Sequence, residues 1–251
     1  MTMKLKKLGM LTPSSNTVLE PITCSILRGV PGVAAHFSRF KVTEVSLTSS
    51  AASQFSIEPM LQAALLLADA QVDVIAYNGT SGGWLGFDYD RRLCEKITQE
   101  TGIPATTSVL ALNELFSVFQ VKQFGLVSPS GQAIAERIIE NYSQLGLQCV
   151  DYACSGISNN YACANVDEES IKGMVRSVAL SGAKAITTFG TNLWSAQLAE
   201  ELERELDILV LDTISVVVWK CLHMAGISPQ SISGWGKLFA AKEFQEMSNK
   251  I

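Results

Sequence analysis

Two stretches of sequence decide the fold: Gly9-Met-Leu-Thr-Pro-Ser-Ser-Asn-Thr-Val-Leu-Glu20 and Gly125-Leu-Val-Ser-Pro-Ser-Gly-Gln-Ala-Ile-Ala-Glu136. They lie 116 residues apart, and their glycine, proline, serine and glutamate positions coincide. Two further pairs of similar segments follow in the same order, 74–81 with 185–192 and 102–108 with 207–213. The order is kept while the spacing drifts slowly, as changes in loop length would make it. The sequence therefore predicts two halves of similar fold.

Short apolar runs alternate with longer segments of helical periodicity along the whole chain. The predicted strands are 8–12, 33–42, 72–77, 105–107, 124–128, 147–152, 183–188 and 208–211. The predicted helices are 57–70, 90–101, 132–145, 168–180, 192–205 and 213–225. The glycines that we expect to end helices in left-handed caps are Gly102, Gly146, Gly182 and Gly226. Such alternation is typical of an α/β protein with parallel sheets wrapped by helices.

A chain of 251 residues can form one large domain or two smaller ones. The repeat favours two lobes, with residues 1–116 in the first and 117–212 in the second. We expect the last predicted helix, 213–226, to return to the first lobe.

The composition excludes several classes of protein. Hydrophobic residues make up 47% of the chain, which is incompatible with intrinsic disorder. The net charge of −5 lacks the basic footprint of a nucleic-acid partner. The longest apolar stretch, 206–227, is interrupted by Asp207, Asp212 and Lys220, so no membrane segment is expected. No apolar run follows Lys4, Lys6 and Lys7, so we expect no signal peptide and a cytoplasmic protein.

The six cysteines are irregularly spaced and contain no C-x-x-C motif. With two histidines in the chain, the spacing of zinc ligands is also missing. We therefore expect reduced thiols and no bound metal.

Polar segments follow the predicted strands of both halves, at 12–16, 78–81, 128–132 and 190–192. In parallel α/β sheets, ligands bind outside the carboxyl ends of the strands, where such segments gather. Small residues, hydroxyls, amides and helix N-termini together suit an anion. The candidate binding residues among them are Ser14, Asn16, Thr80, Ser81, Ser130, Thr191 and Asn192. Because no phosphate-binding motif is present, a carboxylate is favoured.

Each of these side chains has an ordinary alternative as a helix N-cap, and Asp212 is predicted to be one. Cys163 is more typical of interior packing than of catalysis. His223 is predicted to lie on a helix face. Asp88, Tyr89 and Asp90 are predicted in a loop that could close over the cleft and supply an acid or a base.

At these residues the sequence resembles the aspartate/glutamate racemase superfamily, in particular its branch with maleate cis-trans isomerase and arylmalonate decarboxylase. The stretch 9–20 is close to the N-terminal signature of the isomerase branch, and 101–108 and 211–219 match in spacing. The resemblance implies two Rossmann-like lobes related by a pseudo-twofold axis, an active site in the cleft between them, and no cofactor.

The resemblance further implies that substrate carboxylate oxygens are held by Asn16, Asn160, Thr80, Ser81, Thr191 and Asn192. Family members use one cysteine in each lobe as base, nucleophile or acid, and the decarboxylase keeps only the second. Here Gly79 and Gly190 occupy the two positions, and Ser130 replaces a common tyrosine. A glycine has no titratable group, so two-base racemisation by thiols and addition of a thiolate to an alkene are excluded at these positions.

These observations predict a cofactor-independent enzyme that acts on a small carboxylic or dicarboxylic acid through a stabilised enediolate, without a thiol. Decarboxylation makes the least demand on a thiol, whereas isomerisation is harder to explain. A catalytically silent relative that binds such an acid is the main alternative. Hydrolysis is a weaker one, because no Ser-His-Asp order supports it. The low charge content, 17%, suggests a homo-oligomer.

Overall fold

Two parallel sheets form the centre of the protein, whose computed structural model describes residues 5–240 without the side chains of residues 50 and 52. The first four-stranded sheet has the order β2-β1-β3-β4, with β1 Lys6–Pro13, β2 Val33–Phe40, β3 Val74–Tyr77 and β4 Ala105–Thr107. The second has the order β6-β5-β7-β8, with β5 Gln123–Ser128, β6 Gln148–Cys154, β7 Ala185–Thr188 and β8 Leu209–Asp212. All eight predicted strands are therefore present. The second order is the first shifted by four strands, so the two halves share one topology and the α/β prediction is confirmed.

Helices connect successive strands on both sheets, as parallel pairing requires. In the first half they are α1 Leu19–Leu27, α2 Ser49–Ala52, α3 Ile57–Asp69, α4 Gly82–Leu85, α5 Phe87–Thr101 and α6 Ser108–Val118. In the second half they are α7 Gln132–Gln144, α8 Glu168–Ala179, α9 Ala199–Leu206 and α10 Thr213–Met224. The predicted cap glycines all have positive φ: Gly102, Gly146, Gly182 and Gly226. Helices α1 and α6 and the two short helices α2 and α4 were not predicted from the sequence.

Two predicted segments are wrong. The helix expected over 192–205 begins only at Ala199, after a turn and a short 3₁₀ segment, Ala196–Leu198. In the turn, Ser195 Oγ donates to Asp212 Oδ2 at 2.6 Å. The loop expected at 88–90 is instead the first turn of α5, which begins directly after Gly86 at φ 98°.

The last helix, α10, packs on α1 and α6 of the first half although it follows the last strand of the second. Its Trp219 is buried in the larger of the two hydrophobic clusters. Asp212 caps its N-terminus, because the carboxylate accepts from the N–H groups of Ile214 and Ser215 at 2.8 and 3.1 Å. The predicted N-cap is confirmed, whereas the domain limits 1–116 and 117–212 stay predictions.

Between residues 5 and 240, none of the helices combines the length and apolar composition needed to cross a bilayer. All six cysteines are free. In the same part of the chain, no three His, Cys, Asp or Glu side chains come together as potential metal ligands.

Candidate active site

The loops after β3 and β7 meet at a single pocket. Gly79-Thr-Ser follows β3 and Gly190-Thr-Asn follows β7, and both lie at the carboxyl ends of interior strands. The pocket is small, with a cavity volume of about 40 Å³. Its lining residues are Pro13, Val42, Val45, Phe55, Tyr77, Gly79, Thr80, Ser81, Trp84, Pro129, Ser130, Asn160, Cys163, Gly190, Thr191 and Asn192. Both halves of the chain therefore build it, as expected for a cleft between lobes.

Direct hydrogen bonds join the two halves around this pocket. Thr191 Oγ1 donates to the carbonyl of Asn78 at 3.0 Å, and Asn16 Nδ2 donates to the carbonyl of Thr191 at 2.9 Å. On another side, the segment after β2 pairs with the segment after β6. There the N–H of Val45 donates to Ser158 O at 2.8 Å, and the N–H of Asn160 donates to Thr43 O at 2.9 Å. The strand-end loops are thus held against one another.

Several hydrogen-bond donors at the pocket have no partner within residues 5–240. They are the backbone N–H groups of Gly79, Thr80, Thr191 and Asn192 and the hydroxyls of Thr80 and Ser130. Successive unpaired N–H groups in a turn form a concavity that attracts anions. Each half of the chain supplies two N–H groups and one hydroxyl. Both halves of the chain therefore contribute neutral donors of the kind that suits a small anion.

The other wall of the pocket is apolar. Val42, Val45, Phe55 and Trp84 line it, and the rings of Phe55 and Trp84 meet edge to face with centroids 5.7 Å apart. None of the described residues that line the pocket has a charged side chain. An anion in this pocket would be held by neutral donors beside an apolar surface.

Six of the eight candidate binding residues line the pocket: Thr80, Ser81, Ser130, Asn160, Thr191 and Asn192. Ser14 and Asn16 do not. Ser14 is exposed, and its hydroxyl exchanges hydrogen bonds of 3.2 Å with the backbone of Val42. Asn16 is buried behind the pocket, where its amide bridges the two halves. Their binding roles stay predictions.

Asn192 and Asn160 also bind protein groups around the cleft. Asn192 Oδ1 accepts from the N–H of Thr17 at 2.9 Å, and its amide donates to Asn160 O at 2.6 Å. Asn160 Nδ2 donates to Ser15 Oγ at 2.8 Å. These amides hold the pocket walls in place and leave the hydroxyls and backbone N–H groups as its open donors.

Close packing surrounds the two glycines at the expected cysteine positions. A Cβ added at Gly190 would lie 2.9 Å from Cγ and Cδ of Pro129. A Cβ added at Gly79 would overlap the ring of Tyr77, which itself lines the pocket. Tyr77 was not among the site residues predicted from the sequence. Its position as the last residue of β3, two residues before Gly79, is the one signal the sequence offers.

Of the other candidate acids and bases, Cys163 lines the pocket, whereas Asp88, Tyr89 and Asp90 do not. Cys163 lines the pocket, and burial raises the pKa of its thiol to about 11. Asp88 is exposed and paired with Arg91, and Tyr89 Oη donates to Phe55 O at 2.7 Å. Asp90 is fully buried beneath Gly82, where it accepts from Thr107 Oγ1 and burial raises its pKa to about 7. The proposal that 88–90 forms a closing loop is therefore wrong, because these residues are fixed in α5.

His223 lies on α10, as predicted, and stacks on Trp219 with ring centroids 5.9 Å apart. It is not among the residues of the pocket.

Comparison with known proteins places this architecture among characterised enzymes. The chain is 26% identical over 194 residues to maleate isomerase of Pseudomonas putida, covering 73% of this chain and 76% of that protein. It is 22% identical to arylmalonate decarboxylase of Bordetella bronchiseptica, covering 92% and 95% of the two chains. A solved structure of Nocardia farcinica maleate cis-trans isomerase with a covalently bound succinylcysteine intermediate superposes with a TM-score of 0.85. That match has 22% identity and covers 94% of this chain and 98% of the other. The family model of arylmalonate decarboxylase matches residues 31–239, so this chain belongs to that family.

Proposed function

We propose that the protein is an enzyme that decarboxylates a small malonate-type dicarboxylic acid. The observation that carries this proposal is that both halves of the chain line one pocket without charged side chains, and that each half brings donors with no partner within residues 5–240. Donors from two loops at one pocket suit a substrate with two carboxylates on one carbon. The match to the arylmalonate decarboxylase family also supports the proposal.

The donor sets suit the charge that develops in such a reaction. When a carboxylate leaves as carbon dioxide, its electron pair passes to the remaining carboxyl group as an enediolate. Preorganised donors at developing charge contribute typically about 3–4 kcal/mol each by mutagenesis. The N–H groups of Gly79 and Thr80 are fixed by the strand end and require no reorganisation.

The apolar wall favours the same step. A charged carboxylate placed against Val42, Phe55 and Trp84 loses hydration, whereas neutral carbon dioxide does not. Loss of carbon dioxide therefore relieves an unfavourable contact, in addition to forming the stabilised enediolate.

Isomerisation through a thiol adduct is less well supported. The solved Nocardia farcinica isomerase contains a succinylcysteine intermediate. In this chain the two loop positions that the resemblance assigns to cysteine are Gly79 and Gly190. Cys163 is the one thiol at the pocket, and burial keeps it protonated at neutral pH.

A catalytically silent dicarboxylate-binding protein is the second candidate. The absence of a titratable group at residues 79 and 190 favours it, because binding requires donors alone. Such a protein would retain the acid without releasing carbon dioxide.

One experiment separates the two. The purified protein is titrated with substituted malonates, maleate, aspartate, glutamate and hydantoins by thermal shift, and then incubated with them in deuterated water. The enzyme releases carbon dioxide and incorporates deuterium at the α-carbon. Binding across the panel with neither product nor deuterium uptake would establish the silent protein and reject the decarboxylase.

A variant pair localises the activity. Thr80→Val removes a hydroxyl that has no partner within residues 5–240, so we expect kcat to fall about 100-fold while the fold is kept. Thr101→Val is the matched control, since its hydroxyl donates to Ile97 O at 2.7 Å within α5. Equal activity of both variants would show that the Thr80 hydroxyl does not contribute to catalysis.

A further inference from the structure

The Tyr77 side chain fills the space beside Gly79. A Cβ added at Gly79 would lie 2.6 Å from Cε2 of Tyr77 and closer still to Cζ and Oη. Because atoms cannot approach so closely, no side chain fits at residue 79 while Tyr77 keeps this rotamer. The Tyr77 hydroxyl thus stands where the side chain of residue 79 would begin.

This hydroxyl is held firmly at the pocket. Its Oη lies 2.8 Å from Ser81 Oγ, and its ring packs against Phe40 with centroids 5.7 Å apart. The residue is 1% exposed, yet it contributes to the lining beside Gly79 and Thr80. The Tyr77 hydroxyl therefore lies at the pocket next to the loop that carries the unpaired N–H groups of Gly79 and Thr80.

Among the described lining residues, Tyr77 and Cys163 have the two side chains with an ionisable proton. Burial raises the pKa of Tyr77 well above its usual value, so the phenol carries its proton at neutral pH. The hydroxyl and backbone N–H of Ser81 oppose that rise in pKa, because they stabilise the phenolate. Because the net pKa stays well above its usual value, Tyr77 keeps its proton until it meets a strong base, such as the carbon of an enediolate.

We propose that the Tyr77 hydroxyl protonates the α-carbon of the bound acid from the side of the first lobe. This assignment rests on the proposed decarboxylation. The bond between the α-carbon and one carboxylate breaks, carbon dioxide leaves, and the electron pair remains as the enediolate. The O–H bond of Tyr77 then breaks, its proton joins the α-carbon and a phenolate remains. Water reprotonates the phenolate, and the hydroxide formed combines with carbon dioxide as bicarbonate.

The test uses a 2-aryl-2-methylmalonate, because its product is chiral and records the face that receives the proton. We expect Tyr77→Phe to lower kcat at least 100-fold, since general acid catalysis contributes about 100- to 10,000-fold. We expect the affinity for the acid to stay within threefold, because the donors of Gly79 and Thr80 remain. The residual product should lose its enantiomeric excess as water replaces the tyrosine.

Tyr142→Phe is the matched control, since Tyr142 is also fully buried, lies outside the pocket and should keep full activity and stereochemistry. An unchanged rate and enantiomeric excess in Tyr77→Phe would overturn the assignment of Tyr77 as the proton donor and leave the proposed decarboxylation intact. If Cys163→Ser lost activity while Tyr77→Phe kept full activity, the proton donor would be the Cys163 thiol and the assignment to Tyr77 would be wrong. A wild-type protein that binds the malonate without releasing carbon dioxide would instead reject the proposed function, and this assignment with it.

A stability measurement tests the geometry separately from turnover. Gly79→Ala should destabilise the wild-type protein, because the added methyl meets the Tyr77 ring. In a Tyr77→Ala background the same change should be tolerated, giving a shift in urea midpoint at least threefold smaller. Equal shifts in both backgrounds would place the tyrosine ring elsewhere and overturn the proposal.

Discussion

Asn16 Nδ2 donates to the backbone carbonyl of Thr191 at 2.9 Å, although the two residues lie 175 positions apart in the chain. The Oδ1 atom of the same amide accepts from the N–H groups of Val18 and Leu19 at 3.0 and 2.9 Å. One side chain thus fixes the start of α1 and ties it to the Gly190-Thr-Asn loop. The geometry of the pocket depends on this amide even though Asn16 does not line it.

Replacing this amide should weaken the whole fold. Asn16→Ala removes the helix-start acceptor and leaves a buried carbonyl unpaired, so we expect a loss of about 2–4 kcal/mol in the free energy of unfolding. Urea denaturation measures it. Asn16→Asp keeps the acceptor but sets a carboxylate against Thr191 O, so its stability should recover as the pH falls and the carboxyl becomes a donor. An Asp variant as stable as the wild type at pH 7 would contradict the cross-lobe contact.

Asp90 should make stability depend on pH. Burial raises the pKa of this carboxyl from 3.8 to about 7, with the Thr107 hydrogen bond opposing the rise. Below about pH 4 the carboxyl is protonated in folded and unfolded chains alike. As the pH rises from about 4 to 7, the unfolded chain releases the proton while the folded chain keeps it, so stability falls by about 4 kcal/mol in total.

Asp90→Asn removes this titration. The difference in unfolding free energy between wild type and variant, followed by urea denaturation from pH 4 to 8, should fall with pH and level off above about pH 7. Asp88→Asn, at an exposed position, is the control and should leave the slope unchanged. A wild-type slope that survives in Asp90→Asn would show that another buried acid causes it.

Tyr142→Phe should stabilise the protein or leave it unchanged. The Tyr142 hydroxyl is buried among the rings of Phe87, Phe116 and Phe124, and it has no hydrogen-bond partner within residues 5–240. Removing a buried unsatisfied hydroxyl recovers a desolvation cost of about 1–3 kcal/mol. Thermal unfolding of the two proteins measures the gain. A loss of more than 1 kcal/mol would point to a bound water at this hydroxyl.

Gly190→Cys should introduce proton transfer by a thiol into the pocket. The new Cβ would meet Pro129 at 2.9 Å, so we expect a modest cost of about 1–3 kcal/mol in stability. Exchange of the α-proton of a bound acid for deuterium should rise, because residue 190 lines the pocket and the thiol adds an ionisable group there. Gly131→Cys, where an added Cβ meets nothing within 4 Å, is the control that should not change the exchange. A folded Gly190→Cys protein with wild-type exchange would separate residue 190 from the substrate.

The pattern of the sequence predicted the eight strands, their division into two equivalent sheets, and the strand-end loops that form the pocket. Periodicity and repetition carry this information, because each strand and helix is specified by residues close in the chain. The Asp212 cap was predictable for the same reason, since an N-cap and its helix are neighbours.

Only the tertiary structure shows which contacts the strand-end loops make with one another. The hydrogen bond of Asn16 to Thr191 across the cleft was not predicted from the sequence. Asp90 was expected in a closing loop but is buried beneath Gly82. Tyr77 entered the site because its ring occupies the space left by a glycine two residues later. These hydrogen-bond partners, and the space that each side chain fills, depend on how the two halves pack against each other. The local sequence pattern does not specify that packing.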